Sequence, residues 1–266
     1  MIGFFDSGIG GLSIFREVHA LLPEESTAYI GDQAHLPYGP RSLNQIRHFT
    51  TEAVRFLIKL QANPIVIACN TASGAALQFV RKEFPEIEFV GLVPAVKPAA
   101  ESTKTGRIGV LATPGTFRGR LYIRVKNEFA ADVIVYQDTV PGLVEQIEGG
   151  FVDDHSTREI LETALKPMLA RNIDRIVLGC THYPFAEKAI KAIVGDQVQV
   201  IEPGAAVARR VQSLLPEHRP RGSATHQFFS TGDTRHLTTA LHRLLDWSPI
   251  EVTRLEWLPN GKLAYA

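Results

Sequence analysis

The chain has two cysteines, Cys69 and Cys180, and they stand in matching settings. Each follows an apolar, β-branched run, Ile65-Val66-Ile67-Ala68 in one case and Ile176-Val177-Leu178-Gly179 in the other. Such runs read as strands buried on both faces. Each cysteine is followed by small polar groups, Asn70-Thr71 or Thr181-His182. A thiol at the start of a helix is more acidic than its usual pKa of about 8.5. A group that titrates near working pH can both take and give a proton. Inverting a stereocentre without a cofactor requires a base on one face and an acid on the other, with the roles exchanged in reverse. Two equivalent thiols meet that demand. Buried cysteine is also a common packing residue, but the matched placement beside polar side chains favours chemistry.

Other residues collect at the same predicted strand ends. Asp6 closes an apolar strand, where an unpaired carboxylate is costly; a helix N-cap is its plainer role. His182 could hold or protonate a group near Cys180, or could simply start a helix. Ser7, Asn70, Thr71 and Thr181 are small donors that, with loop amides, suit substrate carboxylates. Gly8-x-Gly10 is followed by Ser13 where the dinucleotide fingerprint has its third glycine, so cofactor binding has little support. The nine histidines show no metal-ligand spacing, and neither a metal nor a cofactor is expected.

The elements that must carry these groups alternate between strand and helix. Strands are expected at 2–6, 27–30, 65–68 and 87–92, then at 108–111, 132–135, 176–179 and 198–201. Helices with 3.6-residue periodicity lie between them. Ser42 and Gln45 form a capping-box pattern ahead of one of these helices. This alternation implies α/β architecture with parallel strands. Ile2 to Ile108 and Cys69 to Cys180 are similar offsets, which argues for an internal duplication. The tail, with a strand at 227–230, an edge strand at 252–257 and a surface loop at Pro216 to Arg221, does not fit a third copy. The expected arrangement is two pseudo-symmetric parallel-sheet α/β domains with the active site in the cleft between them. The first is discontinuous, 1–94 plus 206–266, and the second is 95–205.

Bulk composition excludes several classes. Lys plus Arg and Asp plus Glu number 28 each, so no basic field points to nucleic acid. The first residues lack a signal-peptide pattern, and no apolar run approaches the ~20 residues of a membrane span. A soluble, cytoplasmic protein with reduced thiols is expected, with no membrane partner.

Phe5-Asp6-Ser7-Gly8-Ile9-Gly10-Gly11-Leu12, Gly31-Asp32 with Pro37-Tyr38-Gly39, Ala68-Cys69-Asn70-Thr71-Ala72, Gly179-Cys180-Thr181-His182-Tyr183-Pro184 and Thr231-Gly232-Asp233 together resemble glutamate racemases. The resemblance spans nearly the whole chain. It implies a cofactor-independent enzyme that interconverts L- and D-glutamate, a small-molecule substrate, and supplies D-glutamate for peptidoglycan. By the same resemblance, Cys69 and Cys180 transfer protons, Asp6 assists Cys69 and His182 assists Cys180. Ser7, Pro37, Tyr38, Gly39, Asn70, Thr71, Thr116 and Thr181 line the substrate pocket. The family's further acid falls on Glu145 in Val140-Pro141-Gly142-Leu143-Val144-Glu145, with Glu148 one turn on as the rival because Gly142 looks inserted. Gln33 and Gly119 also depart from the pattern. A homodimer is a family-level expectation. A related racemase acting on aspartate, a single-cysteine nucleophilic enzyme and a non-catalytic amino-acid-binding protein are the alternatives.

Overall fold

Strand β1 (Ile2–Asp6) is buried along its whole length, including its terminal carboxylate. The computed structural model describes residues 1–216, 223–247 and 250–266. From β1 a glycine-rich turn leads into α1 (Leu12–Leu21), followed by β2 (Thr27–Gly31) and α2 (Leu43–Lys59). The capping box expected at the head of α2 is formed: the Gln45 N–H donates to Ser42 Oγ (3.3 Å) and the Ser42 N–H to Gln45 Oε1 (3.1 Å). Next come β3 (Ile65–Ile67), α3 (Asn70–Glu83) and β4 (Phe89–Gly91).

The middle of the chain opens with α4 (Val96–Ser102), a helix that the sequence reading did not place and that includes Pro98. The proline stands in the first turn, where its missing N–H removes no intrahelical bond. The chain continues through β5 (Arg107–Leu111), α5 (Pro114–Arg118), α6 (Arg120–Phe129), β6 (Ile134–Asp138), α7 (Leu143–Gly149) and α8 (His155–Leu169). It then runs through β7 (Arg175–Leu178), α9 (Glu187–Val194) and β8 (Gln199–Ile201). The final part comprises α10 (Gly204–Leu214), β9 (His226–Ser230), α11 (Thr234–Leu245), β10 (Val252–Trp257) and β11 (Leu263–Tyr265).

Two compact units result, Met1–Leu92 with Gly204–Ala266, and Val93–Pro203. The first holds a sheet of order β11-β10-β9-β2-β1-β3-β4, and the second a sheet of order β6-β5-β7-β8. All pairings are parallel except β10 with β11. The four-strand order β2-β1-β3-β4 is therefore repeated as β6-β5-β7-β8, as a duplicated unit requires. The first unit packs Phe5, Ile30, Leu57 and Ile67 in its core, and the second Leu111, Leu161, Ile176 and Leu178. Each such buried side chain contributes about 1.5–3 kcal/mol.

Two expectations are corrected. β6 lies later than 132–135, because its register sets Ile134 beside Arg107 and Asp138 beside Leu111. β10 is not the edge strand: Asn260-Gly261, with Gly261 at φ +77°, turns the chain so that β11 pairs with it. As expected, both cysteines follow their strands, each two residues beyond the strand end. The loop expected at Pro216 to Arg221 lies, from residue 217 on, outside the described residues. Among the described residues, no helix is long and apolar enough to cross a membrane.

Candidate active site

In the first unit, Cys69 leaves β3 in extended geometry and becomes the N-cap of α3. Its Sγ accepts the Ala72 N–H at 3.4 Å and lies 3.7 Å from Ser7 Oγ. A sulfur at the N-terminus of a 14-residue helix sits where unpaired N–H groups and the helix dipole favour the thiolate. Asn70 and Thr71, in the first turn, are both buried. Asp6 ends β1 on the neighbouring strand, fully buried, and its Oδ1 accepts the Gly8 N–H at 2.8 Å. Gly11 makes this approach feasible: a Cβ there would stand 2.6 Å from that of Asp6.

The loop after β2 is tied to the same region through Asp32, which is also fully buried. Tyr38 Oη donates to Asp32 Oδ2 at 2.6 Å, and His35 Nδ1 lies 3.0 Å from that oxygen. Asp32 Oδ1 accepts from Thr231 Oγ1 (2.7 Å) and Trp257 Nε1 (2.8 Å). Burial pushes the Tyr38 phenol well above its usual range, and the charges of Asp32, Cys69 and Asp6 act in the same direction. Gly39 beside it is buried, whereas Pro37 is exposed.

The second unit places Cys180 after β7, also buried. Its Sγ is 3.8 Å from Nδ1 of His182, whose Nε2 lies 2.6 Å from Glu148 Oε1. Thiol, imidazole and carboxylate thus form one line inside the unit. Burial opposes a charged ring at His182. Its hydrogen bonds to Cys180 and Glu148, with their negative charge, outweigh that effect and hold its pKa well above the ordinary histidine value. One ring nitrogen faces the sulfur and the other the carboxylate.

Of the two acids left open by the sequence, Glu148 is the one on the histidine; its side chain is 9% exposed. Glu145, one turn earlier on α7, is exposed. The geometry follows from Gly142, which enters α7 at φ +87° and lets Leu143 and Ile147 face the core. Thr116, in α5, is buried, with its hydroxyl 3.1 Å from that of the N-cap Thr113. Thr181 is buried beside Cys180. Tyr183 donates from Oη to the Thr139 carbonyl at 3.1 Å, and burial together with the Cys180 charge raises its phenol. Every sequence-predicted group of the first unit except exposed Pro37 is buried, and in the second every one except exposed Glu145 and partly buried Glu148. Trp257 was not anticipated as part of the first group; its bond to Asp32 spans 225 residues and leaves no local pattern in the sequence.

Comparison with known proteins places this geometry in context. A family model described as Asp/Glu/Hydantoin racemase matches residues 11–211. A glutamate racemase of Ectopseudomonas mendocina is 42% identical over 247 residues, covering 92% of this chain and 94% of its own. The structure of Escherichia coli glutamate racemase in complex with L-glutamate and the activator UDP-MurNAc-ala matches with a TM-score of 0.84 and 30% identity, covering 100% of this chain and 99% of that one. That of the Francisella tularensis enzyme in complex with D-glutamate matches with a TM-score of 0.83 and 29% identity, over 94% and 95% of the two chains.

Proposed function

Since the chain belongs to the Asp/Glu/Hydantoin racemase family, we propose that it interconverts L- and D-glutamate by proton transfer between Cys69 and Cys180. The observation that carries this reading is the placement of two buried thiols, each two residues beyond the third strand of a repeated four-strand pattern. Each has its own polar support: Ser7 and the α3 N-terminus in one unit, His182 and Glu148 in the other. Two relatives bind glutamate, one the L and one the D form, which favours glutamate over aspartate. The two differ by one methylene, worth about 1–3 kcal/mol in a fitted pocket.

In this mechanism one sulfur enters as thiolate and takes the α-proton, forming S–H as the Cα–H bond breaks. The other enters as thiol and delivers its proton to the opposite face of the carbanion, becoming thiolate. After one turnover the roles are exchanged, so the reverse reaction uses the same two groups, and no cofactor is consumed. Ser7, Asn70, Thr71, Thr116 and Thr181 supply donors for the substrate carboxylates. The D-glutamate formed would serve peptidoglycan synthesis.

The test is incubation of the purified protein with L-glutamate in D2O. Optical rotation is expected to decay to zero while deuterium enters the α-position. Retained rotation with no deuterium would overturn the reading. Cys69→Ala and Cys180→Ala should each lower turnover at least about a thousandfold, within the range for losing an acid–base group.

A further inference from the structure

The turn between β6 and α7 is held in an unfavourable backbone conformation. Val140 has φ +44°, in the left-handed region that a β-branched residue rarely adopts. Such a residue keeps that conformation only where its surroundings impose it. Here they do so at three points. The Val140 side chain is buried in one core with Leu143, Ile147 and Tyr183. Its N–H donates to Asp138 Oδ1 at 2.7 Å. The carbonyl just before it, that of Thr139, accepts the Tyr183 hydroxyl at 3.1 Å.

Tyr183 directly follows His182 in the chain. The short segment after β7 therefore grips the α7 region at two places. Near the entrance to α7 the grip is the Tyr183 hydroxyl on the Thr139 carbonyl. Near its end it is His182 Nε2, 2.6 Å from Glu148 Oε1. Between them lies a helix of seven residues, short enough to move as one piece. A displacement at the Val140 turn is thus carried to Glu148, and a contact of 2.6 Å tolerates little of it. The other ring nitrogen of His182 lies 3.8 Å from Cys180 Sγ, so the placement of Glu148 bears on the histidine that faces the thiol.

We infer that Tyr183 is a positioning residue: its hydroxyl holds the strained turn at Val140, and that turn sets α7 so that Glu148 meets His182 beside Cys180. Its consequence for turnover rests on the racemase reading above, whereas the placement of Glu148 shows in the histidine itself. Two rival roles are separable from this one. The phenol could serve packing alone, or it could act straight on Cys180, whose charge it senses. Phenylalanine at 183 keeps the buried ring and removes only the donor.

The experiment combines steady-state racemisation of glutamate with an NMR titration of His182 in isotope-labelled protein, for wild type, Tyr183→Phe, Glu148→Gln and the double variant. Tyr183→Phe is expected to lower kcat about fivefold with KM within about twofold. The double variant should turn over no more slowly than Glu148→Gln alone, because both act through one carboxylate. In the titration, Tyr183→Phe should move His182 toward the ordinary histidine value, in the same direction as Glu148→Gln. A phenol that serves packing alone would lower the melting temperature and leave the His182 titration where it is in wild type. A phenol acting straight on Cys180 would slow the Glu148→Gln protein further. Either result overturns the inference. Asp138→Ala loosens the same turn from its other tie, and its His182 titration decides the matter in the same way if Tyr183→Phe does not fold. Wild type without turnover defeats the racemase reading, and the titrations then judge the placement of Glu148 by themselves.

Discussion

The two halves share a scaffold and differ in how they treat their thiols. In the first, Phe5 pairs with Ile67, and in the second Leu111 pairs with Leu178. One residue on from these pairs, the first unit has the buried acid Asp6 and the second has Ala112. The second unit supplies charge from elsewhere, through His182 beside the sulfur and Glu148 behind the ring. The first thiol is set in a helix N-cap with a hydroxyl neighbour, and the second faces the imidazole of His182. Strand order has thus been kept in both units while the groups beside the thiols differ. That suits a reaction whose two ends are mirror images at carbon but meet different protein surfaces.

The comparison breaks most visibly if the two supports are interchangeable. Asp6→Asn and His182→Asn should each lower kcat/KM about a hundredfold. The enantiomers have equal free energy, so kcat/KM must fall equally in both directions. The asymmetry belongs to kcat, with the two variants slowing opposite directions more strongly. Equal kcat losses from L- and D-glutamate in both variants would erase the distinction drawn here.

A smaller effect sharpens the second half. Glu148→Gln should lower kcat about tenfold, a share of the histidine's acid–base contribution. Glu145→Gln, at an exposed and screened site, should leave kcat within about twofold. The reverse ranking in a racemisation assay would move the acid back to Glu145.

The smallest effect is one of stability. The pKa of His182 is raised in the folded state, so its stabilising contribution is complete below the unfolded histidine value of about 6.5 and is lost as pH rises through the higher folded value. The melting-temperature gap between wild type and Glu148→Gln should therefore be widest near pH 6 and narrow toward alkaline pH. A gap that widens with pH would contradict the ion pair.

How much of this was legible in the sequence follows from which forces are local. The buried strands announce themselves through β-branched runs, and the Ser42–Gln45 cap through two side chains three residues apart. The thiols stood out because their flanking patterns match. β11 carried a usable signal that was passed over: Asn260-Gly261 is a hairpin turn pair. The choice between Glu145 and Glu148 was not readable, because it depends on where a left-handed glycine starts the helix. The Asp32 cluster was invisible for a plainer reason. Its donors come from positions 35, 38, 231 and 257, and only the folded sheet brings them together.

The split layout of the first unit bears on the order of assembly during synthesis. β2 is flanked by β1 on one side and by β9 on the other, and β9 is made some two hundred residues later. Until then the nascent chain carries a bare strand margin of the sort that invites mispairing. The middle unit, contiguous from Val93 to Pro203, has all its strands in hand well before the ribosome finishes. Folding is therefore expected to start in the contiguous middle unit and the split unit to be completed only when the segment from Gly204 onward arrives, the stretch that also delivers Thr231 and Trp257 to Asp32.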